Sequence, residues 1–159
     1  FPTRRSSDLG FRRPTTNYPE ALAVIGSNTI GAVLAFDPST DESMQIPLLF
    51  PTSATAINVR LTWRAIATSG SVVWGIQTAC IADGETGDPS FNTAQTVTDT
   101  AKGTTLQDND ATISSLTTTG CAAGERMMLK IYRDADNGSD TMTGDAWLVS
   151  VAVEITRTL

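Results

Sequence analysis

An all-β domain, built as an antiparallel sandwich of about eight strands, is what this 159-residue sequence predicts. Three observations carry that expectation. Apolar residues alternate with polar ones over short runs, the period of a half-buried strand. Clusters of Gly, Pro, Asp, Asn and Ser separate the runs at short intervals, as in sandwiches and barrels. Threonine is abundant, with 25 copies, while only two lysines occur, Lys102 and Lys130, a balance that favours strands over helices. An eight-stranded jelly roll is the leading topology, and a sandwich of another topology is the alternative.

The elements follow in order. Residues 20–25 (EALAVI) are the one candidate helix, too short to stand alone. Residues 29–36 (TIGAVLAF) place Ile30, Ala32, Leu34 and Phe36 on one face, and the run Asp37-Pro38-Ser39-Thr40-Asp41 ends the strand. Residues 43–50 form a second run. Pro47 inside it lacks a ladder donor, which assigns the run to a sheet edge or a bulge. The clearest alternation spans 56–67, with Ile57, Val59, Leu61, Trp63 and Ala65 opposed to Asn58, Arg60, Thr62 and Arg64. After Thr68-Ser69-Gly70, residues 71–81 continue with Val72, Trp74, Ile76 and Cys80 on one face. The two runs read as a hairpin with a Trp in each strand. A small and acidic loop covers 82–92, and Thr-rich strands follow at 95–100 and 111–119. Residues 125–133 turn Met127, Leu129 and Ile131 inward and leave Tyr132 on the polar face. The last strand, 145–156, carries Trp147, Val149, Val151, Val153 and Ile155 at one parity.

Composition excludes several classes. No apolar run reaches the roughly 18 residues of a membrane helix, so the sequence predicts no membrane partner. Eleven Lys+Arg against 17 Asp+Glu give a net charge of −6, which argues against nucleic acid as a partner. There is no histidine, hence no Ser-His-Asp or Cys-His arrangement and no common base near neutral pH. Paired carboxylates remain the one catalytic option, that of a glycosidase. The sequence therefore leans away from enzymatic activity and from catalytic residues.

Four features are candidates for a site. Asp134, Asp136 and Asp140 alternate around Gly138, with Asp145 close behind, and oxygen-rich loops of this kind hold calcium. The favoured reading is a polar turn in which an Asp pairs with Arg133. Cys80 and Cys121 would close a loop of about 40 residues if bonded, and otherwise are two unrelated thiols. Trp63, Trp74 and Trp147 offer a sugar-stacking platform, yet each shares the parity of its aliphatic neighbours, which points to core packing. Tyr132 is the better candidate for an exposed contact.

Two resemblances add to this reading. Residues 1–9 (FPTRRSSDL) resemble the in-frame translation of a common short-read sequencing adapter. That implies a metagenomic reading frame joined to adapter sequence, with the true N-terminus, and any signal peptide, lost. On this view 1–16 are adapter (1–9) plus a disordered arm, and 17–159 are one sandwich domain. Separately, VRLTW at 59–63, VVWG at 72–75, AQTVTD at 94–99 and Ala123-Gly124-Glu125 occur in sequence with further elements. These are Arg133-Asp134-Ala135, Asp140-Thr141, Gly144-Asp145-Ala146 and VAVEIT at 151–156. Together they resemble a family of phage-encoded and prophage-encoded virion jelly-roll proteins, of head-decoration or tail and fibre type. Cys121 departs from that pattern, which has a small residue or Pro there. The resemblance implies a non-enzymatic structural protein of the virion, released with it on lysis. It would assemble with other virion proteins and with itself, often as a trimer. The alternative is a carbohydrate-binding module with a glycan partner, in the receptor-binding part of a tail, assisted by calcium.

Overall fold

The computed structural model describes residues 12–25, 28 and 30–157. The adapter-like residues 1–9 lie outside them. Among the described residues there are nine strands and no helix. They are β1 (Glu20–Ile25), β2 (Ile30–Phe36), β3 (Ser43–Leu49), β4 (Ala54–Arg64), β5 (Ser71–Ile81), β6 (Gln95–Thr100), β7 (Asn109–Ile113), β8 (Arg126–Arg133) and β9 (Ala146–Arg157). Two antiparallel sheets pack face to face, one ordered β1-β2-β9-β4-β7 and the other β3-β8-β5-β6. The predicted β-sandwich is therefore the fold, with one strand more than expected.

The extra strand is the segment read as a candidate helix. Residues 20–25 pair with β2 over six successive positions, from Glu20 opposite Ala35 to Ile25 opposite Ile30. Their Ala, Leu and Glu favour a helix locally, but six residues cannot hold one, and a ladder of backbone hydrogen bonds outweighs so weak a preference.

The expected hairpin of β4 and β5 does not form. The strands belong to different sheets, and the 65–70 connection crosses between them. Trp63 and Trp74 consequently meet across the core, with ring centroids 6.4 Å apart, and Phe36 stands edge-on to Trp74 at 5.1 Å. The crossing needs a glycine: Gly70 has φ +94°, and a Cβ there would come within 2.7 Å of the Met142 backbone. Around the aromatic trio, Met44, Leu61, Ile76, Leu129 and Ile131 are all buried. At about 25 cal/mol per Å² of apolar surface, this inter-sheet layer is the main stabilising element of the domain.

Trp147 is not in that layer. Where β9 pairs with β4, Thr62 faces Ser150 while Trp63 faces Leu148, so β9 holds one residue more than its partner. The bulge reverses the parity of the strand. Ala146 and Leu148 point inward before it and Val151 and Val153 pack on the core after it, leaving Trp147 half-buried on the outer face opposite Arg64 and Ala35.

The four-stranded sheet ends at β3, as Pro47 predicts. Its free edge is partly covered. Arg12 and Gln45 exchange both backbone hydrogen bonds, at 2.7 and 2.9 Å, and the Ser43 N–H donates to the Asn17 carbonyl. The arm expected to be disordered to residue 16 is thus seated from Arg12 onward, because an edge strand offers unpaired donors and acceptors.

Candidate functional site

The candidate calcium loop does not assemble, because its four carboxylates go to three places. Asp140 turns inward and accepts two hydrogen bonds from Arg133, from Nε at 3.0 Å and Nη2 at 2.7 Å, with both side chains buried. Arg133 also donates to the carbonyls of Phe36, Gly144 and Met142, while Asp140 accepts from the Val73 N–H. Every polar group of this buried pair is satisfied, which offsets the cost of dehydrating it. The pairing of Arg133 with an Asp of the turn, the reading favoured from sequence, is what the structure contains.

Asp134 and Asp136 instead meet Asp41, whose Oδ1 accepts from the backbone N–H groups of Ala135 and Asp136. Asp145 lies elsewhere again, on a cavity of about 580 Å³ lined by Arg13, Tyr18, Glu20, Asp37 and Glu42. Burial, together with the charges of Asp37 and Glu20, raises the pKa of Asp145. Glu42 is likewise raised, chiefly by burial, although its carboxylate accepts from the Asp37 N–H. The four residues as a set do not fit a calcium ion.

Cys80 and Cys121 are bonded, with Cα atoms 5.1 Å apart. Cys80 packs on the core from its strand, and the bond fastens the turn around Cys121 to β5. A second tie runs beside it. Asn92 donates through Nδ2 to the Thr78 hydroxyl and the Thr119 carbonyl, and Thr78 donates to Thr117. The loop before β6, which carries Phe91, is held against the sheet in this way.

That loop borders the outer face of the four-stranded sheet, where the register builds two rows. Ser43, Tyr132, Gly75 and Thr96 lie side by side across β3, β8, β5 and β6. Next to them run Gln45, Lys130 and Gln77. The Tyr132 ring lies across the sheet over Gly75, since a Cβ at residue 75 would collide with its Cζ, Cε1 and hydroxyl oxygen. The glycine is what lets an aromatic ring rest on the strands here. Tyr132 is half-buried, and its hydroxyl pKa is raised by burial, then by the charges of Asp134 and Asp41. The Lys130 ammonium sits 5.5 Å from the centroid of Tyr132 and 5.8 Å from that of Phe91, within cation–π range of both. Gln77 donates to the Asn92 carbonyl, which fixes its amide beside Lys130.

Tyr132 was legible in the sequence as an outward aromatic. Gly75 and Lys130 were not, because their importance depends on which residues the register sets opposite one another.

No protein-family model matches the sequence, and no curated protein matches it. Solved structures do. The CBM22-2 xylan-binding domain of Paenibacillus barcinonensis Xyn10C superposes with a TM-score of 0.55 at 9% identity, covering 92% of each chain. TmCBM61, solved in complex with β-1,4-galactotriose, gives 0.51 at 11% identity over 92% of this chain and 88% of its own. A family 35 carbohydrate-binding module from an environmental isolate gives 0.51 at 12% identity, over 93% and 96%. At such identities the likeness is one of fold, the jelly-roll sandwich.

Proposed function

We propose that the protein is a carbohydrate-binding module and that glycan docks on the outer face of the four-stranded sheet, over Tyr132. The observation that carries this reading is the Tyr132 ring laid on Gly75, flanked by Lys130 and by the amides of Gln45 and Gln77. A flat ring offers an apolar surface to the C–H face of a pyranose, and amides and an ammonium beside it supply hydrogen bonds to its hydroxyls. That is the usual make-up of a small-ligand site: aromatic surface with a few placed polar groups. The fold supports the reading, since proteins described as xylan-binding and as bound to a galactotriose share it.

In this proposal the module is non-catalytic and works outside the cell, where the Cys80–Cys121 bond persists. The virion role implied by the sequence resemblance is compatible with it, as a receptor-binding part of a tail. Capsid or tail genes beside this reading frame would support that wider role. The glycan reading itself is tested by titrating the purified protein with a panel of oligosaccharides. Saturable binding that disappears in Tyr132→Ala, with the fold intact by circular dichroism, is expected. A folded protein that binds nothing on a broad panel would overturn it.

A further inference from the structure

We propose that Lys130 selects glycans bearing an anionic substituent, a uronic acid carboxylate or a sulfate ester, over their neutral counterparts; the inference rests on the glycan reading above.

Of the two lysines, Lys102 is tied down, its ammonium donating to the Asp108 carbonyl at 2.9 Å. Lys130 is not. Among the described residues it makes no ion pair and no side-chain hydrogen bond, although the chain carries 17 acids against 11 basic residues. Its ammonium lies 5.5 Å from the Tyr132 centroid and 5.8 Å from that of Phe91, and such aromatic neighbours steady a cation without neutralising it. An ammonium kept in place with its charge unspent is ready for a charge-assisted hydrogen bond to an arriving anion.

The neighbours of Lys130 sharpen this. Gln45 on β3, Gln77 on β5 and Met128 on β8 carry no charge, and nor do Ser43, Gly75, Thr96 and Thr98. Two further cations share the face, each removed from Lys130: Arg126 at the far end of β8, and Arg12 opposite Gln45 beyond the β3 edge. The acids that act on Tyr132 are Asp134 and Asp41, and Asp134 lies beyond Tyr132 in the direction opposite to Lys130. The face is therefore polarised along β8. A pyranose stacked on Tyr132 gains by pointing its anionic group at Lys130 and loses by pointing it at Asp134. The substituent at C5 extends past the edge of the sugar ring, toward an ammonium 5.5 Å from the centre of the ring beneath.

The test is calorimetric titration with matched ligands: galacturonate oligomers, their methyl esters, a sulfated oligosaccharide and its desulfated form. Tighter binding of at least one anionic member than of its neutral partner, by about tenfold, is expected. Lys130→Gln should erase that difference, bringing the anionic ligand down to the affinity of its neutral partner measured on the same variant. Preference for the uronate pair or the sulfate pair tells which anion is taken. Equal affinity for charged and neutral partners, with Tyr132→Ala abolishing both, would overturn the selectivity and leave glycan binding standing. A folded protein that binds none of the four, nor any neutral panel member, would overturn both.

Discussion

On the outer face of the five-stranded sheet, Arg60 reaches Asp110 at 3.5 Å and Glu154 at 3.7 Å, Arg64 pairs with Asp108, and Thr62 donates to Asp110. On the outer face of the four-stranded sheet, Lys130 makes no ion pair among the described residues and lies near the Tyr132 and Phe91 rings, and Tyr132 lies on a glycine. Both are faces of one sandwich, and both carry polar residues at the outward parity. The first has satisfied its charges internally and presents water with a closed ladder. The second keeps a cation, an aromatic ring and amides available. The first is closed on itself, and the second is the face assigned to glycan in the proposal above.

The largest expected effect concerns what holds the second face in place. Reducing the Cys80–Cys121 bond reopens a loop spanning 41 positions and frees the turn beside the Thr78–Asn92 tie. The chain-entropy account puts the loss at about 4 kcal/mol. A melting temperature lower by about ten degrees in reductant is expected. An unchanged melting temperature would mean that this side of the sandwich is rigid without its cross-link.

Gly75→Ala is a sharper probe. The backbone at residue 75 tolerates alanine, but the new methyl group collides with the Tyr132 ring and drives it off the sheet. Glycan affinity should fall about tenfold while stability changes by less than about 1 kcal/mol. Undiminished affinity would show that the position of the ring is immaterial. The smallest effect belongs to the first face. Arg60→Ala removes an exposed pair, in which both side chains of the Arg60–Asp110 contact are 45% exposed, so chemical denaturation should report a loss of less than about 1 kcal/mol. Glycan binding should not change.

Much of this was written in the alternation of the chain. Ile57 to Ala65 fixed the inward face of β4, and Pro47 marked the sheet edge, because both are local consequences of strand geometry and of a missing N–H. What failed was non-local. The parity of β9 looked continuous, yet one extra residue opposite Thr62 and Trp63 sent Trp147 outward. The short 68–70 connection looked like a hairpin turn, but two inward-facing tryptophans fit better across a core than side by side in one sheet. Asp134, Asp136, Asp140 and Asp145 looked like one ligand set. A turn pairing one of them with Arg133 was readable from sequence, but which Asp the buried Arg133 would take, Asp140, was not. Tyr132 could be read as outward from its own strand, whereas the glycine beneath it could be found only from the register of β5 against β8.

Two outward aromatics, one on each sheet, make the most direct test. Tyr132 and Trp147 are both half-buried, and they lie on opposite outer faces. Titration of Tyr132→Ala and Trp147→Ala with the same oligosaccharide should give lost binding in the first and wild-type affinity in the second. Binding that survives in Tyr132→Ala and disappears in Trp147→Ala would place the glycan on the five-stranded sheet and contradict the account.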